Sequence, residues 1–404
     1  MVGNVVVGQS GGPTSVINSS LAGVYKTAKD LGAPRVYGMR HGIQGFLERN
    51  LVDLDDKLRS EMDIELLKRT PSAYLGSCRF KLPTCEHSEA IYEDLFAFFE
   101  QHHINTFFYI GGNDSMDTVL KLSNYAKAHD KNLNVIGIPK TIDNDLPLTD
   151  HTPGFGSAAK YVATSLLEIA HDTYIYNIPS ITIVEIMGRN AGWLTAASVL
   201  ARTDYSPAPD LIYLPEKAFD VDKFLEKVAT IYNQKKKVLV AVSEGIKTAN
   251  GEYLLKYRHF NKTDSFGHLQ LGGVAQVLCE IVGEKLNLPV RAIELNLPQR
   301  CASHIASLTD IEEAYNCGKT ALLKALDGET DKMVVMNRTS DYHIEYELMR
   351  DNQGNRDMFE VKKAKVAVNT VNELLKNNVT YIDVSYLALK EHANLYDMLS
   401  ELYY

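Results

Sequence analysis

The chain has little of what would place it outside a reducing, aqueous compartment. Its five cysteines in 404 residues (Cys78, Cys85, Cys279, Cys301, Cys317) are odd in number and widely spaced, with no CxxC pair. That pattern excludes a disulfide framework or a zinc ribbon and reads as reduced thiols. No apolar run approaches the ~20 residues needed to span a bilayer. The opening Met1-Val2-Gly3-Asn4-Val5-Val6-Val7 is too short and uncharged for a signal peptide and reads as a core strand. No long basic run exists and the formal net charge is -9, so neither nucleic acid nor a membrane is an expected partner. Low-complexity linkers are missing too. A cytoplasmic protein of two packed domains is expected.

What is present centres on Pro139-Lys140-Thr141-Ile142-Asp143-Asn144-Asp145, which follows the apolar strand Val135-Ile136-Gly137-Ile138. Two carboxylates at i and i+2 in a turn raise each other's pKa unless a cation sits between them. With a hydroxyl and a lysine beside them, they suit Mg²⁺ phosphate chemistry: one Asp positions the metal, the other takes a proton from an attacking hydroxyl. Taken alone, the heptapeptide is equally an Asx-rich turn satisfying its own backbone.

Other turns of the same kind decide between these. Val5-Val6-Val7 runs into Gly8-Gln9-Ser10-Gly11-Gly12-Pro13 and then a helical pattern from Val16, the strand, Gly-rich loop and helix order that presents N–H groups to a phosphate. Val36-Tyr37-Gly38 leads to a Gly-containing turn at His41–Gly45, residues 54–70 are helix-like, and a loop at 73–79 carries Arg79. Helix 86–101 precedes the strand Phe107–Ile110, which ends in Gly111-Gly112-Asn113-Asp114-Ser115. Strands and helices alternating at this interval predict a doubly wound, mostly parallel α/β sheet, with the Gly-rich turns at the carboxyl ends of its strands. A second alternating run follows a helix at 157–170. Its strands (Ile181–Glu185, Leu211–Leu214, Val238–Val242, Arg291–Leu295) end in Gly188-Arg189, Pro215-Glu216, Ser243-Glu244-Gly245 and Pro298-Gln299-Arg300; Met333–Met336 is a further strand.

In order from residue 5 to about 336, this motif set resembles the phosphofructokinase family, and within it the pyrophosphate-dependent branch. The pieces are the Gly11-Gly12 loop, Leu75–Arg79, Gly111–Ser115, Thr141–Asp145, Glu185–Arg189, Ser243–Gly245 and Gln299-Arg300. The resemblance implies two doubly wound, Rossmann-like parallel-sheet domains with a C-terminal helical extension. The expected bounds are 1–154 plus about 299–349 for the phosphate donor, 155–298 for the sugar phosphate, and 350–404 for the extension. It implies Asp143 as the general base on the 1-hydroxyl of fructose 6-phosphate and Thr141 as a contact to the transferring phosphoryl. Asp145, with Asn113 and Asp114, is implied for Mg²⁺. Arg79 matches an Arg on the donor phosphates, as the Gly11-Gly12 loop does a phosphate cradle. Met187, Gly188 and Arg189 match sugar-phosphate contacts, Glu244 a carboxylate accepting sugar hydroxyls, and Arg300 an Arg of the sugar-phosphate pocket. Arg291 matches an Arg that a neighbouring subunit contributes, so a homodimer or homotetramer is implied.

Two positions bear on the donor. ATP-using members resemble this chain but have Gly where Asp114 and Lys140 stand. A carboxylate at 114 would crowd and repel the nucleotide side, while Lys140 adds a cation for a compact pyrophosphate. The expected reaction is therefore reversible transfer from pyrophosphate to fructose 6-phosphate, giving fructose 1,6-bisphosphate and phosphate. An ATP-dependent enzyme and a non-catalytic sugar-phosphate-binding subunit are the alternatives. Three departures stand out: Asn113 in place of a metal-binding Asp, Ser180 in place of an interface Arg, and Leu297 in place of a pocket His.

Overall fold

The computed structural model describes residues 3–203, 206–254, 272–340 and 343–349. The helical extension expected over 350–404 lies outside the described residues. In chain order, the first run of elements is β1 (Asn4–Gln9), α1 (Ile17–Asp30), β2 (Val36–Met39), α2 (Gly42–Leu47), β3 (Leu51–Asp53), α3 (Glu61–Arg69), α4 (Cys85–Gln101), β4 (Ile104–Gly111), α5 (Asn113–Ala128) and β5 (Asn134–Pro139). The second run is α6 (Phe155–Ile175), β6 (Ser180–Ile186), α7 (Trp193–Ala197), β7 (Leu211–Tyr213), α8 (Val221–Lys235), β8 (Lys237–Ser243), α9 (Val274–Leu286), β9 (Val290–Glu294) and the single turn α10 (Pro298–Cys301). The chain finishes with α11 (Leu308–Leu326), β10 (Lys332–Ser340) and β11 (His343–Met349).

These elements divide into two compact units. The first holds residues up to 142, 146–154 and the described residues from 300 on; the second holds 143–145 and the described part of 155–299. Asp143–Asp145 and Gln299 thus group with the second unit rather than with the flanking sequence of the first.

The first unit is a seven-stranded sheet in the order β11-β10-β5-β4-β1-β2-β3. β2, β1, β4, β5 and β10 are parallel neighbours, and β3 and β11 close the two edges antiparallel. Alternate residues feed opposite faces, as the period of a strand requires. Val5, Val7, Phe108, Ile110, Ile136 and Ile138 pack with Leu21 of α1 and Leu322 of α11. Val6, Phe107, Tyr109 and Val135 pack with Phe96, Phe99 and Leu122 of α4 and α5. From β1 the chain first moves to β2 on one side and later to β4 on the other. The crevice of this sheet, its topological switch point, therefore lies at the carboxyl ends of β1 and β4.

The second unit is a four-stranded, all-parallel sheet in the order β7-β8-β6-β9. Ile181, Ile183, Val238, Val240 and Val242 bury one face against Phe224 and Val228 of α8 and Leu278 and Val282 of α9; α6 packs on β6 and β8. The near-continuous apolar runs in β6 and β8 are what a parallel strand covered on both faces needs.

Three local expectations are corrected. The turn at His41–Gly45 opens α2, because His41 and Gly42 take positive φ and Ile43 and Phe46, one helical turn apart, are both buried. The segment 54–70 is broken at 57–60, with a single 3-10 turn at Leu54–Asp56 before α3, which Ser60 and Asp63 start with a capping box. The strands β3 and β11 were not expected.

Candidate functional site

In the first unit, β1, β4 and β5 end side by side. Gln9 is level with Ile110, and Gly111 with Pro139. The amides just past the strands tie these ends together: Ser10 N–H donates to Ile110 O and Lys140 N–H to Gly111 O, both at 2.9 Å. The turns beginning at Ser10, Gly112 and Lys140 therefore share the carboxyl edge at the switch point. Gly11 holds φ +77°, a region that favours glycine. Lys140, only 3 % exposed, reaches back to the Gly-rich loop, its Nζ donating to Gly12 O at 2.6 Å. Arg300 comes to the same loop, for a Cβ on Gly12 would lie 3.2 Å from its Nη1. The structure thus brings Gly11, Gly12, Lys140 and Arg300 together, and Arg300 sits on the Gly12 loop. Asn113 and Asp114 form the first turn of α5, where Asp114 faces the positive end of the helix dipole. Arg79 is exposed on a loop that bonds to Gly11: Gly11 N–H donates to Cys78 O at 3.1 Å, and Ser77 Oγ to Gly11 O at 2.6 Å.

Thr141 is held by the segment that follows the heptapeptide. Its N–H donates to Pro153 O at 3.3 Å and its carbonyl accepts from Thr152 Oγ1 at 2.8 Å. That segment is pinned in turn to α11, where Asp310 Oδ1 accepts from Gly154 N–H at 2.9 Å and Glu313 meets buried His151 at 2.5 Å.

In the second unit, Asp143 and Asp145 are half-buried on either side of buried Asn144. Asn144 takes φ +54°, a conformation that asparagine tolerates better than most residues. Past β6, Met187 N–H donates to Gln299 Oε1 at 3.0 Å and Gly188 N–H to Glu244 Oε1 at 3.3 Å. Ser243 Oγ donates to Gly188 O at 2.6 Å, and a Cβ on Gly245 would lie 2.0 Å from Arg189 O. Met187, Gly188, Arg189 and Glu244 therefore form one cluster at the carboxyl ends of β6 and β8. Arg189 is half-buried, and its buried Nε has no hydrogen-bond partner among the described residues. A buried donor left open in this way suits an anion.

Arg291 is not in that cluster. It pairs with Thr182 on β6, about three residues or ~10 Å along the strand from the carboxyl edge. Its side chain is 49 % exposed, and the guanidinium donates to Thr182 Oγ1 and Thr173 Oγ1 at 3.0 and 3.1 Å and pairs with Asp172 at 3.4 Å. Ser180 opens β6, and Leu297 is 53 % exposed.

A family model described as Phosphofructokinase matches residues 4–301. The chain belongs to the phosphofructokinase family. It is 44 % identical over 341 residues to the pyrophosphate–fructose 6-phosphate 1-phosphotransferase of Xanthomonas campestris pv. campestris (strain B100), covering 84 % of this chain and 80 % of that one. It is 36 % identical over 350 residues to the sulfofructose kinase of Alkalicoccus urumqiensis, covering 86 % of each. Among solved structures it is similar to the pyrophosphate-dependent phosphofructokinase of Nitrosospira multiformis. The TM-score is 0.77 and the identity 33 %, with 98 % of this chain and 93 % of that one covered.

Residues absent from the sequence-based site also shape this phosphofructokinase. Glu185, next to last in β6, caps α9, accepting from Gly273 N–H at 3.1 Å and Ala275 N–H at 2.9 Å. Burial pushes its carboxyl up to about 7, and the neighbouring Glu294 and Glu244 add to the shift. Gln299 and Glu216 hold the Met187–Gly192 loop, Glu216 accepting from Gly192 N–H at 2.6 Å. The signal for these was a polar residue at the end of an apolar strand, which does not distinguish ligand contact from loop anchoring.

For a metal, the fit is of a particular kind. Among the described residues no three His, Cys, Asp or Glu side chains group into a cage. Mg²⁺ does not need one, since it is commonly held by one or two carboxylates, waters and substrate phosphates. Half-buried Asp145 meets that requirement, whereas among the described residues a zinc-type site is not built.

Proposed function

We propose that this phosphofructokinase transfers a phosphoryl group reversibly from pyrophosphate to the 1-hydroxyl of fructose 6-phosphate, giving fructose 1,6-bisphosphate and phosphate. The observation that carries the donor choice is Lys140: a buried cation whose Nζ is fixed on the Gly12 carbonyl of the Gly-rich loop. An ammonium held on that loop places a positive point charge where the donor's phosphates would lie, and pyrophosphate, all phosphate and no ribose, is the compact donor that fits beside it. A charge pair at ~4 Å contributes roughly 4 kcal/mol before desolvation at an effective dielectric near 20. Asp114, at the start of the neighbouring helix, disfavours a longer nucleotide by charge and bulk.

In the mechanism this implies, the N–H groups of the Gly11-Gly12 loop, with Lys140 and Arg79, bind the pyrophosphate. Thr141 contacts the phosphoryl in transit. Met187, Gly188 and Arg189 hold the sugar phosphate, and Arg300 contributes a second guanidinium to phosphate binding. Glu244 accepts from sugar hydroxyls. Asp143 takes the proton of the 1-hydroxyl as its oxygen attacks phosphorus, and Lys140 offsets the charge that develops on the departing phosphate. Asp145 would hold Mg²⁺, which would supply charge neutralisation to the phosphates. In the reverse direction Asp143 returns the proton. The position of Arg291, away from its own cluster, supports the reading that it serves the sugar-phosphate site of a neighbouring subunit in a homodimer or homotetramer.

The test is a coupled assay of the purified protein with pyrophosphate and ATP side by side, and with fructose 6-phosphate and sulfofructose as acceptors. Turnover with pyrophosphate and fructose 6-phosphate, at least tenfold above every other pairing, is the expected result. A preference for ATP, or for sulfofructose, overturns the corresponding half of the proposal.

A further inference from the structure

Two buried side-chain amides join the Gly-rich loop to the segment that carries Arg79. Gln9, the last residue of β1, and Asn18, in the first turn of α1, are both 0 % exposed. Gln9 Nε2 donates to Asn18 Oδ1 at 2.8 Å, and Gln9 Oε1 accepts from Leu75 N–H at 2.9 Å. Asn18 Nδ2 donates to Thr70 O and Ser72 O, both at 2.8 Å, and its Oδ1 also accepts from Tyr74 N–H at 2.8 Å. Asn18 therefore uses both of its amide hydrogens and both lone pairs of its carbonyl. That set of bonds fixes which way the amide faces, and no hydroxyl or carboxylate reproduces it. In a buried network each lost partner leaves another group unsatisfied, so the arrangement holds its geometry stiffly. What it holds is the backbone of residues 70–75, whose continuation through Ser77 and Cys78 is bonded to Gly11 on both sides of its peptide.

We propose that Asn18 and Gln9 are positioning residues for the phosphate donor, setting where Arg79 stands relative to the Gly11-Gly12 loop. The proposal rests on the donor role given to Arg79 above. Neither amide touches substrate; each acts through the 70–78 backbone. Asn18→Asp changes almost no volume but removes both donors and sets a carboxylate against two carbonyl oxygens. Gln9→Glu keeps the acceptor for Leu75 N–H and removes the donor to Asn18.

The experiment is steady-state kinetics, in both substrates, of the parent, Asn18→Asp, Gln9→Glu, Arg79→Ala and the double variant Asn18→Asp/Arg79→Ala. Asn18→Asp should raise KM for pyrophosphate at least tenfold while KM for fructose 6-phosphate stays within twofold. Gln9→Glu should act in the same direction and is read by the same criteria if Asn18→Asp does not fold. The double variant should have a pyrophosphate KM within threefold of Arg79→Ala, because one route is lost only once. A merely structural role would lower the melting temperature and the active fraction without separating the two KM values, and that result overturns the proposal. So does a double variant in which the two effects multiply. If Arg79→Ala leaves pyrophosphate KM unchanged, the donor role of Arg79 fails and this inference with it. An effect of Arg79→Ala with none from either amide overturns the positioning alone.

Discussion

Both units end parallel strands at a carboxyl edge, and they furnish those edges differently. At the strand ends of the first, the side chains brought to the Gly11-Gly12 loop are Lys140 and Arg300, set among backbone N–H groups. At the strand ends of the second stand Glu185, Glu244 and Glu294, with Arg189 as the guanidinium of that cluster. A parallel sheet supplies a crevice but no chemistry; the sign of the side chains at its edge decides what it can hold. Cations and amides suit a small, multiply charged donor. Carboxylates suit a polyhydroxylated acceptor, from which they accept hydrogen bonds, with the arginine left for its phosphate. The overall charge of -9 makes the local basic edge of the first unit the more telling of the two.

The sharpest way to break this division is at the base. Asp143→Asn is nearly isosteric but accepts no proton, so kcat should fall by the ~10²–10⁴ typical of losing a general base, with both KM values little changed. Turnover within threefold of the parent would remove Asp143 from the mechanism and with it the acceptor role of the second unit.

A smaller effect tests whether the acceptor site is complete within one chain. Arg291→Ala should raise KM for fructose 6-phosphate about tenfold or more, a loss of about 1.4 kcal/mol, and leave KM for pyrophosphate within twofold. Mixing it with Asp143→Asn should restore part of the activity through hybrid sites. If no mixture recovers activity, with subunit exchange verified by a tagged chain, the site is built from one chain.

The smallest effect concerns the buried carboxylate of the second unit. Glu185 is pushed up to about 7 by burial, above its ordinary value of 4.5. For a group whose folded pKa is raised, the stabilising contribution is full below pH 4.5 and is lost as pH rises toward 7. Replacing it by Gln should flatten that dependence, by about 3 kcal/mol at most over this window. Thermal denaturation of both proteins between pH 4.5 and 8 measures it. Parallel pH profiles would mean that Glu185 is ionised throughout, with the α9 amides outweighing burial.

Much of this was legible in the residues. Apolar runs closed by glycines placed β1, β4, β6 and β8, and a run closed by Pro139 placed β5, and so the carboxyl edges where Lys140, Arg189 and Glu244 stand. The short β3 was not legible, having only three residues to show a period. β11 was not expected either, although its residues carry the signal: Ile344, Tyr346 and Leu348 alternate with His343, Glu345 and Glu347, the pattern of a half-covered edge strand. The roles of Gln9 and Asn18 could not be read, because a polar residue among apolar ones does not announce which backbone, more than fifty residues away in the case of Asn18, it will satisfy. Arg300 shows the same limit: its motif implied an Arg of the sugar-phosphate pocket, whereas the fold places its guanidinium at the Gly12 loop.

The central claim is that Lys140 and Asp114 make the first unit a pyrophosphate site. The direct test is the ratio of kcat/KM for pyrophosphate to that for ATP, at fixed Mg²⁺, in the parent, Lys140→Gly, Asp114→Gly and the double variant. Lys140→Gly should cut pyrophosphate turnover by orders of magnitude, since each 1.4 kcal/mol lost is about tenfold. Asp114→Gly should admit ATP while pyrophosphate chemistry is partly kept. The double variant should favour ATP relative to the parent. A parent that already prefers ATP, or a ratio that neither substitution moves by more than threefold, would contradict the account.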